Sequence, residues 1–119
     1  MAKLILTLLL CTLGASAFSL AAEVQKGQAS YYSDNLHGNK TASGEPYDKN
    51  ALTAAHRTLP FGTKLKVTYL KTGKSVEVVV NDRGPYSEHR IIDLSGAAAK
   101  HIGMIEDGQG VVRIEISEP

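Results

Sequence analysis

The sequence VEVVVNDRGPY occupies residues 76–86. Its three consecutive valines, Val78–Val80, predict a strand that is buried on both faces. The glycine and proline that follow predict a sharp turn directly after Asp82. The sequence therefore predicts a carboxylate at the end of a buried strand, held at the rim of a β scaffold.

Short runs of β-forming residues surround this stretch and predict further strands. The predicted strands are Gln28–Tyr32, Lys64–Leu70, Ser75–Asn81, Arg90–Leu94 and Val111–Ile116. Residues 51–56 fit either a short strand or a single helical turn. Ser95 is predicted to cap a short helix, Gly96–Ile102. Many short strands with one small helix favour a mainly β fold closed into a barrel, which has no free sheet edge.

The first 22 residues have the pattern of a secretory signal peptide. Lys3 precedes an apolar run, Leu4–Leu13, and small residues follow. We therefore predict a signal peptide at residues 1–22 and one domain at residues 23–119, either periplasmic or secreted. Cys11 is the one cysteine of the chain, and the leucines directly before it fit a lipid-attachment site poorly. Membrane attachment, as an outer-membrane lipoprotein, is expected only if Cys11 is lipidated.

Charge and motif content exclude several functional classes. The chain has 12 acidic and 13 basic residues. Because Lys3 is the one charged residue of the predicted signal, the remaining domain has no net charge and no basic block, which excludes nucleic acid as a partner. The four histidines lack metal-ligating spacing, and no phosphate loop or dinucleotide motif is present. The sequence therefore predicts no metal and no cofactor.

Asp82 and Glu45 are the strongest candidates for acid–base chemistry. Limited solvent at a barrel rim would favour the neutral carboxyl form of Asp82, which a general acid needs. Alternatively, Asp82 caps the turn or pairs with Arg83 or Arg90. Glu45 lies in a loop broken by glycine and proline, and such a loop can hold a polar side chain in a fixed position. Most glutamates in loops, however, are simply solvated.

Five further positions allow two interpretations each. Asp93 lies between apolar residues and either caps the helix that follows or belongs to the functional site. For Asp48, we favour capping of the turn that follows it over a role in a site. His56, with the arginine after it, either orients a carboxylate or a sugar hydroxyl or is a structural residue. Tyr32 stacks on a sugar or packs at the barrel mouth, as does Tyr86.

Together these motifs resemble the rare lipoprotein A family of double-psi β-barrel proteins. The matching stretches are residues 27–32, 37–38, 41–45, 54–60, 62–63, 81–86, 90–95 and 97–98. The resemblance implies a six-stranded double-psi β-barrel with one or two short helices. It also implies a lytic transglycosylase that cleaves the β-1,4 bond between N-acetylmuramic acid and N-acetylglucosamine without water. The products would have 1,6-anhydro ends, formed in cell-wall remodelling and daughter-cell separation.

The resemblance also implies which residues act. The family's acidic pair matches Glu45 and Asp82, and its supporting polar residues match Asp48 and His56. In the more distant expansins, the important acids match Asp82 and Asp93. Asp82 is therefore the position on which both comparisons agree.

We expect the substrate to contact Tyr32, Arg83 and Tyr86. The implied partners are peptidoglycan glycan strands and, in addition, proteins of the division machinery. The alternative function is a non-catalytic glycan-binding or wall-loosening module of expansin type, which would use the same groove without cleavage.

Overall fold

The computed structural model of the protein describes residues 24–118. The predicted signal peptide and Cys11 lie outside these residues. Between positions 24 and 118, no helix has the length and hydrophobicity that crossing a bilayer requires.

Six strands close into a barrel and confirm the predicted fold class. The strands are β1 (Val24–Tyr31), β2 (Thr53–His56), β3 (Lys64–Tyr69), β4 (Ser75–Asp82), β5 (Arg90–Leu94) and β6 (Gln109–Glu118). Their order around the barrel is β1-β5-β2-β4-β3-β6. Within the described residues, one α-helix, α1 (Gly96–His101), follows β5, and a single 3₁₀ turn spans Asp34–Leu36. Most of the chain from residue 32 to residue 52 is an ordered loop, as its polar, glycine-broken sequence predicts.

The structure corrects one predicted element and decides between the two alternatives for another. β1 begins at Val24, earlier than predicted, because it pairs along its length with β6, where Val24 lies opposite Glu115. The stretch at residues 51–56 forms strand β2 rather than a helical turn, and it pairs with β4 on one side and β5 on the other. Both differences arise from pairing with strands that are distant in sequence.

The core lies inside the barrel and follows the alternation of the strands. In β3, Leu65 and Val67 are fully buried, whereas Lys66 between them is exposed. In β4, Val78 and Val80 are fully buried, but Val79 is only half-buried. The prediction that this strand is buried on both faces is therefore wrong, since its outer face is partly open.

The strand pairing places polar residues in one row across the barrel rim. β1 pairs in parallel with β5, where Ser30 lies opposite Asp93. β5 pairs with β2, where Asp93 lies opposite Ala55. β2 pairs in parallel with β4, where a bulge skips Asn81 and sets Ala55 opposite Asp82. Because residues directly opposite each other share a face of the sheet, these four side chains point the same way.

We expect Leu65→Ala to lower the free energy of unfolding by about 2–5 kcal/mol, because it leaves a cavity in the closed barrel. The matched control is Lys66→Ala, one residue further on the outer face, which should change stability by less than about 0.5 kcal/mol. Urea denaturation monitored by circular dichroism measures both values. Equal effects of the two substitutions would contradict the described inward and outward faces of β3.

Candidate active site

An open groove of about 460 Å³ lies over the row of polar residues at the barrel rim. Asp82 and Asp93 both line it, and Ala55 lies between them on the intervening strand. Their backbones are therefore two strand spacings apart, about 10 Å. Ala55 is only 2% exposed and has no side chain beyond Cβ. The floor between the two carboxylates is therefore open to a ligand.

Asp82 is held by three neutral donors. Its Oδ1 accepts hydrogen bonds from the backbone N–H groups of Ala42, at 2.8 Å, and Arg83, at 2.9 Å. Its Oδ2 accepts a hydrogen bond from the hydroxyl of Tyr32. Within residues 24–118, no ion pair links Asp82 to Arg83 or Arg90. The interpretation of Asp82 as an arginine partner is therefore wrong, and the side chain is oriented in the groove by hydrogen bonds.

The loop that contains Glu45 is attached to the end of β4. Besides the contact from Ala42 to Asp82, the N–H of Ser43 donates to the carbonyl of Asn81 at 3.3 Å. The amide Nδ2 of Asn81 donates to Oε1 of Glu45 at 3.3 Å. Glu45 is thus brought to the same rim as Asp82, but it is exposed and does not line the groove.

Asp93 has a different set of partners. Its Oδ1 accepts hydrogen bonds from the hydroxyl of Ser30 at 2.7 Å and from Nε of Arg90 at 3.1 Å. The cap of α1 is Ser95, whose hydroxyl accepts from the N–H of Ala98 at 3.2 Å. The helix-cap interpretation of Asp93 is therefore wrong, and its carboxylate faces the groove instead.

Tyr32 is stacked on a second tyrosine beneath the groove. Its ring lies 4.4 Å from that of Tyr47, at an angle of 17° between the ring planes. Tyr47 is buried, and its hydroxyl accepts a hydrogen bond from the N–H of Gly96 at 2.9 Å. Burial, together with the hydrogen bond to Asp82, raises the pKa of Tyr32 well above its ordinary value. One face of the Tyr32 ring is thus covered by protein.

The two other residues predicted to contact substrate differ in their availability. Tyr86 lines the groove with 84% of its surface exposed. Arg83 also borders the groove, but its guanidinium lies 4.2 Å above the ring of Phe61 and donates to the carbonyl of His56 at 3.1 Å. The side chain of Tyr86 is therefore free to stack on a ligand, whereas the Arg83 guanidinium is already bound by the protein.

The structure does not bring Asp48 or His56 into the groove. Oδ1 of Asp48 accepts from the N–H of Asn50 at 2.8 Å, as expected for a turn cap. Nδ1 of His56 accepts from the backbone N–H groups of Thr58 and Leu59, both at 3.2 Å. His56 borders a separate cavity of about 410 Å³. Both side chains therefore stabilise the turns that directly follow them, by accepting hydrogen bonds from the backbone.

Two more residues shape the groove. Arg57, predicted with His56 to orient a carboxylate or a sugar hydroxyl, instead donates from Nε to the carbonyl of Pro85 at 2.9 Å and from Nη2 to that of Arg90 at 2.6 Å, which braces the loop that contains Tyr86. Sequence reasoning missed Ala55, which keeps the floor open, because a small residue in a strand gives no signal. Across residues 24–118, no cluster of three or more potential ligand side chains is arranged to hold a metal ion.

A closed barrel of six strands, with two parallel pairs and a carboxylate groove at its rim, defines a double-psi β-barrel protein. The chain belongs to the lytic transglycolase family, whose sequence profile matches residues 24–116. The predicted family resemblance is thereby confirmed.

Curated relatives of this chain are named as peptidoglycan transglycosylases. The probable endolytic peptidoglycan transglycosylase RlpA of Synechocystis sp. is 51% identical over 104 residues, which cover 85% of this chain and 32% of the relative. The endolytic peptidoglycan transglycosylase RlpA of Campylobacter jejuni is 54% identical over 94 residues, which cover 79% of this chain and 34% of the relative. The chain thus spans about a third of the length of these relatives.

Solved structures share the barrel. The Streptomyces papain inhibitor superimposes with a TM-score of 0.63 at 25% identity, covering 78% of this chain and 93% of that protein. An expansin of Clavibacter michiganensis superimposes with a TM-score of 0.63 at 26% identity, covering 82% of this chain and 52% of the expansin. The same barrel therefore supports proteins with quite different names, and function depends on the residues of the groove.

We expect Arg57→Ala to loosen the loop at residues 84–90, because the carbonyls of Pro85 and Arg90 lose their charged donor. Hydrogen–deuterium exchange should become at least about tenfold faster in that loop. The matched control is Arg113→Ala on β6, whose arginine is exposed. Unchanged exchange in the Arg57 variant would show that the loop is held by other contacts.

We also expect Tyr32 to affect stability at alkaline pH. Its pKa is raised in the folded protein, so the folded state keeps a proton that the unfolded state releases above about pH 10. This contribution is present below that pH and is lost as pH rises further. Tyr32→Phe should therefore make the loss of stability above about pH 10 less steep. Urea midpoints from pH 8 to pH 11 measure this, and equal slopes for both proteins would contradict it.

Proposed function

We propose that this chain is a peptidoglycan lytic transglycosylase domain. It would cleave the β-1,4 bond between N-acetylmuramic acid and N-acetylglucosamine and leave 1,6-anhydro ends. The main support is the carboxylate of Asp82, which three hydrogen bonds orient in an open groove. The names of relatives that are 51% and 54% identical support the same assignment.

The reaction needs one group that is first an acid and then a base. The neutral carboxyl of Asp82 donates its proton to the bridging oxygen as the bond from that oxygen to C1 of the muramic acid breaks. The C6 hydroxyl of the same sugar attacks C1, and its proton passes to the Asp82 carboxylate. The acid is thereby regenerated. Since no water is activated, a second carboxylate is not required as a base, in contrast to a hydrolase.

The other acidic residues have supporting roles in this proposal. Glu45 is exposed at the rim beside Asn81, where its negative charge stabilises the positive charge that develops on the sugar ring. Asp93 faces the groove across Ala55 and is held by Ser30 and Arg90, so it binds sugar hydroxyls. The exposed ring of Tyr86 stacks on a sugar of the glycan strand.

We infer that the domain is exported, because its proposed substrate lies outside the cytoplasm and residues 1–22 have the pattern of a signal peptide. The mass of the protein purified from an envelope fraction tests this directly. Loss of the first 22 residues without a lipid supports a soluble periplasmic or secreted product. A diacylglyceryl mass on Cys11 supports the lipoprotein alternative.

The proposed activity is tested by digesting purified glycan strands and separating the products by mass spectrometry. The wild type should release fragments with 1,6-anhydro ends. Asp82→Asn should lower their yield at least about a hundredfold, because general acid–base groups contribute that much. Glu45→Gln should lower it less. The matched control is Glu77→Gln, an exposed acid on the same strand as Asp82, which should leave activity unchanged.

Two outcomes would contradict the proposal in different ways. Full anhydro yield from Asp82→Asn would remove Asp82 from the mechanism. Binding of the wild type to purified cell-wall sacculi without any new anhydro ends would instead support the non-catalytic, expansin-like alternative.

A further inference from the structure

We propose that Oδ2 of Asp82 is the oxygen that transfers the proton, and that Tyr32 is the positioning residue that aims it. This inference deepens the proposed transglycosylase function and rests on it. It also changes the role expected for Tyr32, which the sequence predicts to contact the substrate.

The two oxygens of the Asp82 carboxylate have unequal surroundings. Oδ1 accepts two backbone hydrogen bonds, from Ala42 and Arg83, and these occupy both of its lone pairs. Oδ2 accepts a single hydrogen bond, from Tyr32. Among the described residues 24–118, Oδ2 is thus the oxygen of this carboxylate with an unused lone pair. It can bear the proton for the glycosidic oxygen while it still accepts from the Tyr32 hydroxyl.

Two contacts hold Tyr32 in place, and the second of them is itself anchored. The Tyr32 backbone N–H donates to the carbonyl of Leu94 at 3.0 Å. The ring is stacked on Tyr47 at 4.4 Å, and Tyr47 is anchored in turn by the N–H of Gly96 at 2.9 Å. The hydroxyl therefore reaches Asp82 from a preorganised ring, which confines Oδ2 to one orientation.

The donor role of Tyr32 is also supported by its ionisation. Burial and the hydrogen bond to Asp82 raise the pKa of Tyr32 above its ordinary value. The phenol therefore keeps its hydrogen over the whole pH range in which a carboxyl group exchanges protons. Tyr32 does not supply the catalytic proton, and it acts on the reaction through Asp82.

The groove contains a tyrosine suited to the other role. Tyr86 is 84% exposed, whereas one ring face of Tyr32 is covered by Tyr47. A residue that binds sugar should affect KM, and a residue that aims the acid should affect kcat. Tyr32 and Tyr86 therefore form a matched pair for separating positioning from binding.

The test compares Tyr32→Phe with Tyr86→Ala on soluble, purified glycan strands. Tyr32→Phe keeps the stacked ring and removes the hydroxyl. We expect kcat to fall about ten- to hundredfold with KM nearly unchanged. Tyr86→Ala should mainly raise KM and leave kcat nearly unchanged.

A double variant tests whether Tyr32 acts through Asp82. Tyr32→Phe combined with Asp82→Asn should be no less active than Asp82→Asn by itself, because the positioned group is already gone. Fully additive losses would overturn the inference, as would a Tyr32→Phe variant with wild-type kcat. If the wild type forms no anhydro ends, the proposed function and this inference both fail. If the wild type is active and Tyr32→Phe is equally active, only this inference fails. Circular dichroism on each variant checks that the barrel is intact.

Discussion

The candidate site depends on a bulge in β4 where that strand pairs with β2. Val80 lies opposite Ala54, and the next pair is formed by Asp82 and Ala55. In a regular ladder Asn81 would take that place, and Asp82 would point to the other face of the sheet, since side chains alternate along a strand. The extra residue therefore decides that a carboxylate rather than an amide faces the groove. It also leaves the Asn81 amide able to reach Glu45.

The two acids of the groove are held by partners of opposite character. Asp82 is bound by two amides and a phenol, all of them neutral. Asp93 is bound by a serine hydroxyl and by the cationic Arg90. Two carboxylates in unlike surroundings are suited to different tasks, as acid–base sites in other enzymes illustrate. The structure thus distinguishes the two carboxylates by their partners, neutral donors for Asp82 and a cation for Asp93.

Much of the fold is local in origin and could be predicted. Alternation in β3 and the Ser95 cap of α1 depend on neighbouring residues, and both agree with the structure. The family resemblance predicts the closed barrel. The early start of β1 could not be predicted, because it depends on pairing with β6 at the far end of the chain.

The partners of the site residues were harder to predict than the residues themselves. Arg90 binds Asp93, three residues further along the same strand, rather than Asp82. Arg57 holds backbone carbonyls, which any sequence can present. The role of Tyr32 depends on a ring beneath it that comes from the long loop. In the last two cases the partner lies in another part of the chain, which side-chain patterns along one strand do not identify.

The row of residues beneath the groove comes from four different strands. Ser30, Ala55, Asp82 and Asp93 become neighbours only when β1, β5, β2 and β4 have all found their partners. A partly folded chain has the same four residues but no row. The floor of the groove is therefore all-or-none, because a fault in any one of these strand pairings separates its residues even where the rest of the sheet has formed.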